Sequence, residues 1–362
     1  VALALLVAAA SGCGTDDGST VDDAGPAPTL GGDTASTGDG DTDHDGTATA
    51  TGPDTAPGGP VGSHPTLPPA GPDAGATGDP DGTAEADGSG AAPTDAPFPR
   101  SAAELAAALT EAEEAIRRPE LGPDEVAAWG RRQQTLYRIL GAHPAWYEEV
   151  TASVPSPLGE VVTLNWTARQ ALNALQATEP VHDTLPSWRI DEPRPADELL
   201  GYYRDAAAAT GVPWSVLAAI NLVETRMGRI NGISTAGALG PMQFLPTTWA
   251  ECCTGDPHDE RDAIRGAAEY LIDRGAARDL DRAIWGYNNS DHYVTAVRSY
   301  ATVLDLDERA YAGYHAWEVF FLTTEGLVWL PVGYEEGAEV DAATWLAANP
   351  GHLITIDGPT EG

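Results

Sequence analysis

The chain has 362 residues, with 55 acidic side chains against 19 basic ones, all Arg, for a formal charge of −36. That balance excludes nucleic acid and anionic membrane surfaces as partners, since both reward clustered positive charge, and no apolar run approaches the roughly 20 residues that span a bilayer. Of the 40 Gly and 29 Pro, 19 and 13 fall in the first 100 residues, which excludes one globule of the full length and leaves core-building to residues from about 101 onward.

Residues 1–13, VALALLVAAASGC, read as the apolar core of an export leader followed by small residues, clipped at its N-terminal side. Cys13 after Ala10-Ser11-Gly12 looks like a lipobox, where the thiol would take a lipid and become the mature N-terminus. Export to the outer face of the cytoplasmic membrane is the expectation, with membrane contact only through that lipid. Residues 14–100 are Gly, Asp, Thr, Ala and Pro, with 16 acids and one Arg. They have too few large apolar side chains to offset the entropy of ordering, so a disordered linker is expected. As a flexible coil it would span roughly 50 Å, enough to tether a domain above a surface. Within it, Asp41-Thr42-Asp43-His44-Asp45-Gly46 matches half of a calcium loop, but Gly52 stands where the bidentate Glu belongs. No metal or other cofactor is expected: His182, His258 and His292 are scattered, and Asp256, Asp259 and Asp262 read as caps and flanks of a helix.

Beyond residue 100 the pattern turns helical, and the fold class expected is mainly α. Leu105, Leu109, Ala112 and Ile116 recur at helical spacing, as do Val126, Trp129, Gln133, Leu136 and Leu140. A third helix is expected over 159–177 and a fourth over 196–209, after Pro186, Pro193 and Pro195. These divide into a helical accessory region, 101–185, and a main helical domain, 186–305. In a C-terminal extension, 306–362, two apolar runs flank Glu325-Gly326 and predict a β-hairpin, with Pro331 placing the second strand at a sheet edge.

The chemistry concentrates between Gly211 and Tyr300. Pro213 suits a first helical turn, and Val216, Ile220, Val223 and Met227 form an apolar stripe ending at Gly228. Glu224 falls at the margin of that stripe and in the last turn, where the macrodipole is negative. Both features disfavour ionisation, which makes Glu224 a candidate general acid near neutral pH. Gly228, Gly232, Gly237 and Gly240 punctuate a loop that can bring backbone close to a ligand. It leads into Gly240-Pro241-Met242-Gln243-Phe244, one amide among apolar groups. That composition suits sugars bearing N-acetyl groups, and equally a loop plugging its own core. Asp259 and Ser290 read as helix caps, and Val294, Val297, Ala301 and Leu304 as the inward face of the helix after Ser290. Cys252-Cys253 reads as structural, either an adjacent disulfide or two thiols.

Glu224-Thr225, Gly240-Pro241-Met242-Gln243 and Gly286-Tyr287-Asn288 resemble, in order, the three motifs of the lysozyme-like lytic transglycosylase (SLT) domain family, usually Glu-Ser, Gly-Leu-Met-Gln and Ala-Tyr-Asn. The string from Ser234 to Trp249 is similar to actinobacterial members. The likeness covers about 90 residues and leaves out the linker, residues 101–185 and the hairpin. It implies a lysozyme-like helical fold acting on peptidoglycan glycan strands, at the β-1,4 bond between N-acetylmuramic acid and N-acetylglucosamine. It further implies that Glu224 is the lone catalytic acid, that Met242 and Gln243 line the glycan cleft, and that the Tyr287 hydroxyl helps to orient Glu224. Thr225, Ser234, Phe244 and Asn288 are grouped with them as substrate-binding. No acidic residue lies between Glu224 and Glu251, which is compatible with a site of one carboxylate. Glu251, Asp256 or Asp291 folded against it would instead favour a hydrolytic muramidase. A wall-binding lipoprotein without catalysis is the alternative from another class.

Overall fold

The computed structural model describes residues 97–177, 180–234 and 236–354. The leader with Cys13, residues 14–96 of the expected linker and the Asp41–Gly46 match lie outside the described residues. Within them the protein is mainly helical, with twelve α-helices and small antiparallel sheets.

The first helices form where the apolar spacing demands. α1 (Ala102–Ile116) starts at Ser101, whose Oγ accepts from Glu104 N at 3.2 Å, and α2 (Pro123–Ala142) starts on a proline that needs no N–H partner. Every inward residue named above for these two helices is buried. α3 (Tyr147–Ser153) has no counterpart in the expected elements, because seven residues with only Val150 buried show no readable period. α4 (Leu158–Gln176) follows the expected course. Between α1 and α2, Glu113 is fully buried. Its Oε1 accepts from Gln133 Nε2 at 2.9 Å and Tyr137 OH at 2.5 Å, and its Oε2 pairs with Arg117 at 2.5 Å. A buried carboxylate is tolerable only with its oxygens satisfied in this way.

Next come α5 (Ala196–Thr210), which Gly211 stops at φ 80°, and α6 (Trp214–Thr225). They are followed by α7 (Pro246–Cys252), α8 (Glu260–Asp273), α9 (Leu280–Tyr287), α10 (Asp291–Leu306) and α11 (Ala310–His315). Asp259 accepts from Asp262 N at 3.0 Å and Ser290 from His292 N at 3.2 Å, the two expected caps. Cys252 and Cys253 form a disulfide with each other, which settles the alternative left open by their spacing.

α10 packs against α4 and α6. One hydrophobic cluster therefore runs from Ala102 to Trp317, and the regions 101–185 and 186–305 share a core rather than owning one each.

A second, smaller core joins Leu185, Trp188, Ile190 and Ile230 to Val319, Val328, Leu330 and Tyr334. Short antiparallel pairs hold it together. β1 (Thr184–Leu185) pairs with β6 (Val340–Asp341), and β2 (Arg189–Ile190) pairs with β3 (Ile230–Asn231). The predicted hairpin is β4 (Val319–Thr323) and β5 (Gly326–Leu330), with Val319 opposite Leu330 and Thr323 opposite Gly326. The edge position expected for its second strand is wrong. β7 (Leu353–Ile354) adds to β5 and makes it central, with α12 (Ala342–Ala348) between β6 and β7. Pro331 is harmless there because it lies just past the end of β5 and withholds no ladder donor.

Candidate active site

α6 carries the candidate acid, and its surroundings differ from the amphipathic helix expected. Every residue from Ser215 to Thr225 is buried. There is no polar face, as befits a helix of Val, Leu, Ala and Ile enclosed on all sides. The helix also stops earlier than expected, at Thr225. Arg226 and Met227 take left-handed φ values of 55° and 61°, so Met227 belongs to the turn and not to a stripe. Arg226 Nη1 donates to Leu222 O and so caps the helix end.

Glu224 is 4% exposed. Burial pushes its carboxyl up from the usual range to about 8, and a hydrogen bond from Tyr293 pulls the other way. The Tyr293 hydroxyl donates to Glu224 Oε1 at 2.6 Å. Among the described residues no second carboxylate acts on this ionisation, neither Glu251 nor Asp256 nor Asp291. At neutral pH the group is therefore an uncharged acid, with a proton to give and, once given, a carboxylate to take one back.

The loop 240–243 is latched to α6 by a buried polar network. Thr225 Oγ1 donates to Pro241 O at 2.6 Å, and Asn221 Nδ2 donates to the same carbonyl at 2.8 Å and to Thr225 Oγ1 at 3.1 Å. Gly228 N donates to Thr225 Oγ1, and Tyr203 OH donates to Asn221 Oδ1 at 2.5 Å. Leu239 and Phe244 exchange backbone hydrogen bonds at 2.8 and 3.0 Å and close the loop. Gln243 sits at φ 51°, a conformation that side chains other than Gly rarely adopt, and its Nε2 donates to Gly240 O at 2.8 Å. Strain held in place by such a network is common at functional sites. Gly240 is required sterically: a Cβ there would lie 1.8 Å from Pro257 O. Its close approach is thus to the protein's own backbone, and that of Gly232 is to the Trp188 side-chain ring.

The remaining residues sort by where burial puts them. Met242 and Thr225 have no exposed surface, so neither lines a cleft. Met242 is core, and Thr225 holds the loop. Phe244 is likewise core, edge-on to Trp249, Tyr270 and Tyr287. Ser234 Oγ accepts from Ala238 N at 2.8 Å and shapes the loop ahead of the motif. Asn288 is buried at the end of α9. Tyr287 does not reach the acid: its hydroxyl donates to Met242 O at 2.5 Å, and its ring lies parallel to that of Tyr293 at 6.4 Å. The tyrosine on Glu224 is Tyr293, in the first turn of α10. The Glu224 carboxyl thus meets Tyr293, while Thr225 and Tyr287 tie down the 240–243 loop through Pro241 O and Met242 O.

Compared with protein-family models, curated proteins and solved structures, the chain matches none. Its site has to be read from its own residues.

Sequence reasoning missed Tyr293, Asn221 and Tyr203. Tyr293 had a signal, since it lies four residues before Val297 and seven before Tyr300, on one helical stripe that also carries Leu304. Among the described residues no three His, Cys, Asp or Glu side chains gather to hold a metal ion, and no helix is long and apolar enough to cross a membrane.

Proposed function

We propose that the protein is a peptidoglycan lytic transglycosylase of lysozyme-like fold, cleaving the bond between N-acetylmuramic acid and N-acetylglucosamine with Glu224 as acid and then base. The observation that carries this reading is the isolation of the Glu224 carboxyl: buried, raised to about 8 and held by one tyrosine, with no second carboxylate acting on it among the described residues.

Most glycosidases need two carboxylates, one to protonate the leaving oxygen and one to activate water or to form a covalent intermediate. A lone carboxyl can serve when the nucleophile belongs to the substrate. Protonated Glu224 gives its proton to the glycosidic oxygen, and the C–O bond breaks as positive charge develops at the anomeric carbon. The neighbouring N-acetyl oxygen stabilises that charge. Ionised Glu224 then takes the proton of the muramoyl C6 hydroxyl, whose oxygen closes a 1,6-anhydro ring. An internal hydroxyl outcompetes water through its high effective molarity. The Tyr293 bond fixes the carboxyl for both steps and favours the ionised form in the second. The resemblance of Glu224-Thr225, Gly240–Gln243 and Gly286–Asn288 to the family motifs supports the assignment, as does the latch that joins the first two of them. An exported, lipid-anchored enzyme reaching the wall on a linker is the setting this reading gives to Cys13 and residues 14–96.

Mass spectrometry of digested peptidoglycan tests it. Anhydro-muropeptide products from the wild type, and none from Glu224→Gln at unchanged helical content, are expected. Reducing muramic ends would instead make the protein a hydrolase, and an unaffected Glu224→Gln would remove the acid from its role.

A further inference from the structure

The Cys252–Cys253 disulfide closes a ring through a single peptide bond. A bridge between neighbours joins no two elements and closes almost no loop, so it removes little entropy from the unfolded chain. Its effect is local. It fixes the backbone where α7 ends and the segment 253–259 begins, with Cys253 extended at φ −130° and ψ 166°. Both residues are half-buried rather than enclosed, and accessible disulfides are the ones that exchange with outside thiols.

Two sets of contacts carry that fixed point to the candidate site. In the first, Cys253 Sγ lies 3.6 Å from Gly266 O on α8, and a Cβ added to Gly266 would lie 2.6 Å from the Trp249 ring and 3.2 Å from that sulfur. Sulfur and ring thus share one seat on α8, and Trp249 in turn meets Phe244 edge-on at 5.2 Å. In the second, the segment 253–259 is pinned by Trp249 Nε1 donating to Gly255 O at 3.4 Å, Arg265 Nη2 to Thr254 Oγ1 at 2.8 Å and Asp256 N to Asp262 Oδ2 at 3.0 Å. So held, it sets Pro257 O against Gly240, where a Cβ would come within 1.8 Å. Gly240 O accepts from both Gln243 N and Gln243 Nε2, and so holds Gln243 in its left-handed conformation.

We propose that Cys252–Cys253 is a reversible redox site through which a dithiol controls the Gln243 loop. A thiolate of the dithiol attacks one sulfur, forming a mixed disulfide and expelling the other sulfur as a thiolate, which takes up a proton. The second thiol of the dithiol then displaces the remaining cysteine. Two electrons and two protons reach the pair, and the dithiol leaves as its own disulfide. With the ring open, Cys253 is free to leave its extended conformation and Pro257 to withdraw from Gly240. The effect on the loop stands apart from the reading of Glu224; the effect on turnover rests on it.

Dithiothreitol treatment of the full-length protein, followed by reoxidation of one portion, tests the site, with the thiol state fixed by alkylation and read by mass. Hydrogen exchange at Gln243 and Phe244, whose amides donate to Gly240 O and Leu239 O, reports on the loop. Reduction is expected to speed exchange at both by about tenfold or more and to lower peptidoglycan turnover by about tenfold. Tm should fall by no more than about 4 °C, and reoxidation should restore all three. The Cys252→Ser/Cys253→Ser double variant should match the reduced protein and ignore dithiothreitol, which separates this pair from Cys13. A pair that resists dithiothreitol in the folded protein, or that is reduced with exchange at Gln243 and Phe244 unchanged, overturns the proposal. So does a double variant that still responds, or a larger fall in Tm with exchange speeded throughout the protein, which marks the bridge as a general brace. A freed loop at undiminished turnover overturns control of activity. An oxidised protein that releases no muropeptides overturns the reading of Glu224, and the exchange rates still decide the redox site.

Discussion

The Tyr293 hydroxyl donates to Glu224 Oε1 at 2.6 Å from the first turn of α10, while Tyr287, parallel to it, spends its hydroxyl on Met242 O. Two tyrosines six residues apart thus do different work. Tyr293→Phe removes a bond that favours the carboxylate, so the Glu224 pKa rises above about 8 and the alkaline limb of the pH–rate profile moves up with it. Turnover falls about tenfold, the rate equivalent of one lost hydrogen bond. Tyr287→Phe costs about 1 kcal/mol of stability and leaves the limb in place. Rate profiles and denaturant melts of both variants check this pair.

Glu224→Gln has a pH-dependent effect on stability. The folded-state pKa, about 8, lies above that of the unfolded chain, near 4.5. Between these values the unfolded state has lost a proton that the folded state keeps. Wild-type stability therefore falls as pH rises through that window, by up to about 1.4 kcal/mol per pH unit from this group. Glutamine does not titrate, so the variant gains on the wild type from pH 4.5 to 8 and the gap stays constant outside it. Urea midpoints across that range measure the slope.

Gly240→Ala and Gly237→Ala form a matched pair. Both glycines have positive φ, 72° and 82°, but only at Gly240 does an added Cβ meet backbone, at 1.8 Å from Pro257 O. Gly237→Ala should cost about 1 kcal/mol, the left-handed penalty alone. Gly240→Ala should cost more than about 3 kcal/mol and displace Gln243, so that activity falls even where the protein remains folded. Thermal melts and activity assays on the two side by side decide it.

Glu113→Ala leaves Arg117, Gln133 and Tyr137 without their common acceptor inside the core and should cost about 3–5 kcal/mol. Glu113→Gln keeps an acceptor for part of the network and should cost less. Chemical denaturation gives both values. Activity of the folded fraction should be unchanged, since Glu113 lies in the α1–α2 contact and not around α6.

How much of this was legible in the sequence depends on periodicity. α4 and α5 came out within a residue of their expected bounds, and α1 and α2 as apolar stripes, because their apolar residues recur at three- and four-residue spacing. α6 misled for the opposite reason: its polar residues Ser215, Asn221, Glu224 and Thr225 are buried along with the apolar ones, so it has no solvent face to read, and Glu224 looked marginal where it is enclosed. The motif residues were found, but not their division of labour. Thr225, Met242 and Tyr287 are near the acid in sequence pattern yet serve as bracing, because a loop held at φ 51° needs its carbonyls tied down. Tyr293, which touches Glu224, sits 69 residues away along the chain, and only folding brings the start of α10 against the end of α6. Nor could composition show that Leu158–Gln176 would pack on α10, since contacts between distant helices leave no local trace.

The two-residue pairings β1–β6 and β2–β3 have a practical consequence for anyone wishing to isolate the motif-bearing stretch. Leu185, Trp188 and Ile190 sit ahead of it in the chain, and their covering comes from Val319, Val328, Leu330 and Tyr334 behind it. A shortened chain ending at Leu306 would leave that apolar staple with nothing to grip, right where β2 receives β3, the strand that follows the turn after α6. The minimal working unit is therefore closed by its tail.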